Sequence, residues 1–384
     1  MRKRVLKTKL CDILGIEYPI LSAGMGPSLI GEKTGAPVGL VVAVSEAGGL
    51  GVLGAAGYTV EEMREKIREI KKLTDKPFGV DILLPPQIVR VGDEDYQGPK
   101  EYALSEIIKS LPKEHYDWIM KIKAEMGLPD IDSRYRAGTT TLRPHAAVKA
   151  CIEERVPLFC AGLGNPGFMV EDAHAAGIKV LGICGNTKNA KRIATSGADL
   201  VVAQGHEGGG HTGRIGSMAL WPQAVDAAAP TPVLAAGGIG DGRGLVAALA
   251  VGCVGVWVGT RFLASVEGGA MNIQKEAIIK AKDEDTRRTY IYTGKTSRAT
   301  FNKFHTLWES SGLEPLPFPT QVALASAVVE MFNKAGKNEF IGPFAGQVSG
   351  LIQEIKPAAE IVRDMVEEAV EILSRKLPKT VIVK

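Results

Sequence analysis

The residues of this chain best suited to proton chemistry stand together in one short segment, Gln204 to Gly213, which reads QGHEGGGHTG. It holds two imidazoles (His206 and His211), one carboxylate (Glu207), one carboxamide (Gln204) and five glycines. A histidine on such a loop titrates near neutral pH and can take or give a proton. His211 is therefore the leading candidate for a general base, with His206 earlier in the loop as its rival. Glu207 is expected either to hold the loop by accepting backbone N–H bonds or to stand in solvent. Dense glycine lets backbone N–H groups approach a bound anion or ring. HEGGGH is not read as a zinc motif, because its glycines preclude a stable helix and no third ligand is evident.

Such a loop needs rigid elements around it. The run Asp199–Ala203 leads into it as a buried parallel strand would, and two further runs end in the same way. Pro232–Ala236 opens into Gly237, Gly238 and Ile239, and Gly255–Val258 opens into Gly259, Thr260 and Arg261. Both turns are expected to offer N–H donors, each at the start of a helix, to a phosphate. Eight strands are predicted in all: Tyr18–Ala23, Leu50–Ala56, Pro77–Leu84, Pro157–Ala161, Ile178–Cys184, Ala198–Ala203, Pro232–Ala236 and Val254–Val258. They alternate with helical patterns such as Val38–Ala47, Val60–Leu73 capped by Thr59, and Met218–Ala228. This rhythm predicts an α/β fold, a (β/α)8 TIM barrel with its site at the C-terminal ends of the strands.

The rhythm breaks after strand three, over residues 85–141. This charged insertion carries two amphipathic patterns, Glu101–Ser110 and Lys113–Met126. It is expected over the active-site face, as a lid or specificity element, or as a homo-oligomer contact. Beyond residue 265 come charged helical stretches, several aromatics and a long helical pattern, Val348–Leu373. The expected division is a barrel over residues 1–265, with the insertion at about 85–141, and a mainly helical C-terminal extension over 266–384 packed on the barrel.

The 384 residues are 45% hydrophobic, enough for a sizeable core. A net charge of +3 is too mild to imply a nucleic-acid partner, and no apolar run approaches the roughly 18 residues of a membrane span. The start, MRKRVLKTK, is expected to be a solvated arm rather than a targeting signal, since Asp12 and Glu17 follow before any long apolar stretch. Cys11, Cys151, Cys160, Cys184 and Cys253 are scattered without a CxxC, which predicts free thiols and a cytoplasmic setting. Cys160, at the end of a strand, is read as a wall residue rather than a nucleophile, because nothing in the sequence supplies it with a base.

At QGHEGGGHTG the chain resembles the nitronate monooxygenases, formerly called 2-nitropropane dioxygenases, whose motif is similar to QGxEAGGHxG. The one departure is glycine at Gly208 in place of alanine. The flavin-dependent enoyl-ACP and enoyl-CoA reductases share the fold and much of the motif set. The resemblance continues into the tail, through TGKTSRATFNKF, PFPTQ and AGQVSGLI, and leaves out the insertion. It implies an FMN-dependent oxidoreductase that converts nitronates or nitroalkanes with O2 to a carbonyl compound and nitrite. Under the resemblance His211 matches the catalytic base. Gln204, Gly209 and Gly238, with Gly237 beside them, match positions that hold FMN, and Gly259 and Thr260 complete its phosphate site. Met25 matches a methionine whose backbone lies against the flavin.

Asp81 and Trp257 also fall on cofactor-binding positions but depart from the pattern, standing where asparagine and glutamine are common. Gly24 replaces a proline. An ionised aspartate near the ring would disfavour a negatively charged flavin unless it is protonated or paired. The partners implied are a small-molecule substrate and O2, with no metal, nucleic acid or membrane. The alternative is an NAD(P)H-dependent reductase of enoyl thioesters on the same flavin. A non-redox aldolase or isomerase would want a lysine at a strand end, and none is found there.

Overall fold

Short apolar runs punctuated by glycine and proline pair side by side, in parallel throughout, because each is followed by a helix that carries the chain back to the same edge. They are β1 (Ile20–Ser22), β2 (Val52–Gly54), β3 (Gly79–Leu83), β4 (Leu158–Leu163), β5 (Lys179–Cys184), β6 (Leu200–Gln204), β7 (Val233–Ala236) and β8 (Gly255–Val258). Their order is β1-β8-β7-β6-β5-β4-β3-β2, and a parallel bridge between Leu21 and Leu50 brings β2 back to β1. All eight strands expected from the sequence are present, and they form a (β/α)8 barrel. The computed structural model describes residues 6–31, 33–93, 102–131, 134–135 and 140–382. The first five residues of the predicted N-terminal arm and parts of the insertion lie outside the described residues.

Alternate strand residues face opposite sides. Leu21, Val52, Leu158, Cys160, Leu181, Leu200, Val202, Leu234 and Trp257 fill the barrel lumen. Ile20, Leu53, Val80, Ile82, Phe159, Val180 and Val201 face the surrounding helices. The lumen is plugged at the N-terminal ends of the strands by the Lys9–Leu14 helix, whose Leu10, Cys11 and Leu14 join the same core. The sequence start is therefore not all solvated. Leu6 is already buried, and Thr8 Oγ1 donates to the Val254 carbonyl at 2.5 Å. Charges on either side of these leucines mask their inward face in the sequence. The Val60–Leu73 helix begins with the expected Thr59 cap, reciprocated by Glu62, and buries Val60, Met63, Ile67 and Ile70. Leu73, the last residue of that apolar series, is left exposed.

The insertion contains the helices Pro86–Val91, Leu104–Lys109 and Lys113–Met126, together with a short antiparallel pairing of Tyr102–Ala103 with Arg134–Tyr135. Its Leu104, Ile108, Ile119 and Ile122 share a second core with Phe304, Trp308, Val328 and Phe332 of the C-terminal part of the chain. That part holds the helices Asn272–Lys280, Lys303–Ser311, Thr320–Lys334 and Ala358–Glu371. It also holds an antiparallel hairpin of β9 (Thr286–Thr289) and β10 (Ser297–Thr300), which no period in the sequence announces. Val348–Leu373 is not one helix. A short 3-10 segment, Gln347–Leu351, is separated from the Ala358–Glu371 helix by Pro357, which lacks an N–H and stands as that helix's N-cap.

The Ala358–Glu371 helix buries Ile361, Val362, Met365 and Val366 in the same core as the barrel helices. It comes so close to the Gly242–Ala250 helix that a Cβ on Gly242 would stand 2.6 Å from both the Ala369 nitrogen and the Met365 carbonyl oxygen. Glu368 also accepts the Gly242 N–H at 2.8 Å. Gly242→Ala is expected to force the two backbones apart and cost about 1–3 kcal/mol, as overpacking does. Denaturant unfolding of the variant checks this, and an unchanged midpoint would contradict the close approach.

Candidate active site

Strand ends form the floor of the main cavity, and helices of the insertion and the C-terminal part, among them Thr320–Lys334, form its outer wall. The cavity has a volume of about 760 Å³ and lies where the C-terminal ends of the strands open. Met25, Asp81, Gln204, Gly209, His211, Gly237, Gly238, Trp257, Gly259 and Thr260 all line it. The sequence-derived candidates thus converge from β1, β3, β6, β7 and β8 on one space. His206 is not on the cavity wall. Its N–H donates to the Ile215 carbonyl at 2.9 Å, and its carbonyl accepts from Arg298 Nε at 3.0 Å. Cys160 is buried below the cavity in the lumen, and burial pushes its thiol well above the ordinary range.

His211 is presented by a backbone pairing. Gly210 and His211 form a short strand against β10, with His211 opposite Ser297 and Gly210 opposite Arg298. The Gln204 side-chain amide closes the loop by donating to the His211 carbonyl at 2.9 Å. His211 Nε2 lies 3.1 Å from Thr293 Oγ1. That hydroxyl already donates its one proton to the Lys295 carbonyl at 3.1 Å, so toward the imidazole it can only accept. With the hydroxyl proton on the Lys295 carbonyl, the matching tautomer of His211 is Nε2–H, with the lone pair on Nδ1. The exposed area of the ring is that of a cavity wall. Crowding by its surroundings, aided by the ammonium of Lys295, pushes the imidazole down to about 4. His211 is therefore a neutral acceptor at physiological pH.

Glu207 takes the first of its two expected roles. Its carboxylate accepts the Ser217 N–H with both oxygens, at 2.9 and 3.0 Å, and the Ser217 hydroxyl at 3.0 Å. Ser217 opens the Ser217–Ala228 helix, so an anion sits at the positive end of that helix. The Ser217 hydroxyl also lies 3.0 Å from the Gly237 carbonyl, which joins the β6 and β7 loops.

The turn after β7 needs glycine for conformation. Gly237 and Gly238 have φ of 91° and 73°, and a Cβ on Gly237 would come within 2.9 Å of the Gly205 carbonyl oxygen. The helix that follows does not aim its end at the cavity, contrary to the sequence expectation. The Asp241 carboxylate accepts the Arg243 and Gly244 N–H groups, and Glu368 takes that of Gly242. Only the turn residues Gly237, Gly238 and Ile239 reach the cavity wall. After β8, Gly259 and Thr260 both line the cavity, Thr260 as the first residue of the Thr260–Leu263 helix. Gly346 closes this corner by donating its N–H to Thr260 Oγ1 at 3.0 Å.

At the β1 side, the Met25 carbonyl accepts from Thr34 Oγ1 and from the Gly35 N–H, each at 3.0 Å. A Cβ on Gly54 would stand 1.9 Å from that carbonyl oxygen, so the end of β2 must be glycine for the Met25 turn to fit. Gly24 has a similar cause, because a Cβ there would lie 2.2 Å from the Cβ of Asp81. Trp257 is buried at the junction of lumen and cavity. Thr293, Gly346, Phe318 and Phe344 complete the wall. Sequence reasoning does not single them out, although all but Phe344 fall in tail segments that carry the family resemblance.

A model of the nitronate monooxygenase family matches residues 7–368. A Mycobacterium tuberculosis protein named as a monooxygenase is 33% identical over 383 residues, covering 95% of this chain and 97% of its own. A Staphylococcus saprophyticus protein named as a nitronate monooxygenase is 32% identical and covers 96% of this chain and 99% of its own. Among solved structures, nitroalkane oxidase from Streptomyces ansochromogenes superposes with a TM-score of 0.75 at 28% identity, over 95% of this chain and 99% of that one. FabK from Thermotoga maritima gives a TM-score of 0.73 at 31% identity, over 98% and 100%.

The Glu207 carboxylate anchors both the histidine loop and a helix start. Glu207→Ala is expected to cost roughly 1–2 kcal/mol, the range for loss of a helix cap. A thermal or denaturant melt measures it, and unchanged stability would show that the carboxylate holds nothing.

Proposed function

This chain belongs to the nitronate monooxygenase family and is an oxidoreductase of flavin type, and on that premise we propose that it binds FMN in the strand-end cavity and oxidises nitronates or nitroalkanes with O2. The observation that carries the reading is the His211 imidazole on the cavity wall, its Nε2 against Thr293 Oγ1, with burial favouring its neutral form.

The wall fits the cofactor. The turns Gly237–Ile239 and Gly259–Thr260 would hold the phosphate, with Gln204 and Gly209 alongside. The Met25 backbone, Asp81 and Trp257 would flank the ring. When bound, the flavin supplies the electron chemistry. This chain's own part is to hold the substrate beside His211, whose Nδ1 takes the α-proton of a nitroalkane. With a nitronate that proton is already gone, and no base is called on.

The enoyl-thioester reductase reading uses the same flavin site, and the apolar outer wall of Leu104, Phe318, Val322 and Phe344 would suit an acyl chain. It asks for a proton donor next to the substrate, however. Burial pushes the His211 imidazole down, toward the form that carries no proton to give.

His211→Asn is expected to keep FMN and lose turnover of neutral nitroalkanes by about 10²- to 10⁴-fold, while a preformed nitronate is affected far less. Equal turnover by variant and parent on the neutral substrate would remove His211 from the role. The base works while neutral, hence above its pKa. For a neutral nitroalkane kcat/KM should therefore hold as pH falls through the usual histidine range and drop only as it passes about 4. An acid limb at the ordinary histidine value would contradict the assigned environment.

A further inference from the structure

We propose that Asp81 stands in the cavity as a neutral carboxylic acid that donates a hydrogen bond to the bound flavin, so that flavin affinity falls when Asp81 ionises. The proposal rests on the FMN reading above and adds to it a proton that the binding requires.

The geometry comes from three strand ends. Asp81 is an inward-facing residue of β3 and is 6% exposed. Its carboxyl lies between two backbones that carry no side chain. A Cβ on Gly24 would stand 2.2 Å from the Asp81 Cβ, and one on Gly162 would stand 2.6 Å from its Oδ1. The residues level with it on the neighbouring strands are Gly54 and Cys160. Of all these neighbours only Cys160 titrates, and its thiol is pushed well above the ordinary range and stays neutral. Among the described residues no lysine, arginine or histidine bears on the carboxyl, and the Gly162 N–H is its one stabilising partner. Oδ1 is buried with no partner at all.

An ionised carboxylate in that position would bury a full charge against a single backbone dipole, which is costly. Burial accordingly pushes the Asp81 carboxyl well above the usual aspartate range. The proton makes the side chain both a donor and an acceptor. Oδ1 is enclosed against Gly162, so the small part of the carboxyl that reaches the cavity wall it shares with Met25 and Trp257 belongs to the rest of the group, and the proton would be offered there. A flavin ring presents nitrogen and carbonyl acceptors and a single N3–H donor on its polar edge. A neutral acid can donate to any of the acceptors, where an ionised one would set charge against their lone pairs and could only accept from N3–H.

The sign follows. Only the protonated form donates, so affinity is flat below the Asp81 pKa and weakens above it by up to about tenfold per pH unit. The test titrates FMN into flavin-stripped protein, by quenching of its fluorescence, from about pH 6 to about pH 9, for the parent and for Asp81→Asn. Asparagine has the same shape and an N–H donor that does not titrate. The parent should lose affinity on the alkaline side while the variant stays level. In parallel, infrared spectra of the flavin-free parent at neutral pH should show a protonated-carboxyl C=O band that shifts on adding FMN and is missing from Asp81→Asn. The same pH dependence in both proteins, or no such band, overturns the proposal and leaves the FMN reading intact. FMN binding to neither protein at any pH removes the FMN reading and this proposal with it.

Discussion

The account depends on a backbone pairing outside the barrel, His211 against Ser297 and Gly210 against Arg298. A loop with five glycines in ten residues has little conformational preference of its own and loses much entropy on ordering. Its position is imposed by elements that arrive later in the chain. The β9–β10 hairpin takes its far end, and the buried Arg298 guanidinium ties the His206 carbonyl to Thr286. Gln347 donates its N–H to the Glu207 carbonyl at 2.9 Å. Glu207 in turn reaches the Ser217 helix inside the barrel wall. A base that must meet a substrate within hydrogen-bond reach needs this rigidity, so the histidine of the barrel works only as the C-terminal part of the chain positions it.

The same constraint explains what the sequence reveals. The eight strands are legible because a parallel strand buried on both faces is an uninterrupted apolar run, and the glycine turns after β6, β7 and β8 are legible because they end those runs. The hairpin is not. Thr286–Thr289 and Ser297–Thr300 are polar sequences, and β10 is wholly buried only because tertiary neighbours cover it. The stretch joining them carries no tight-turn signature. Helix-end capping likewise escapes a local reading, since the Gly242 N–H is satisfied by Glu368, which lies 126 residues further along. Thr293, which meets His211 Nε2 at 3.1 Å, has no distinguishing context in the chain.

The polar groups of the cavity are tuned mostly by removal of water. His211 is pushed down and Lys295 is lowered by burial, the latter resting over the Phe318 ring at 4.3 Å. Asp81 moves in the opposite sense for the same reason, because desolvation penalises whichever form is charged. Gly24 and Asp81, the two departures at the β1 and β3 ends, are one feature. The glycine makes the room that the carboxyl occupies.

The most direct test of the central claim is anaerobic mixing of the FMN-loaded protein with a nitronate, and separately with NADH or NADPH, while the visible flavin absorbance is followed. The account predicts that the nitronate bleaches the flavin and that the nicotinamides leave it oxidised on the same timescale. Rapid bleaching by NADH or NADPH with no response to the nitronate would contradict it and assign the cavity to a reductase.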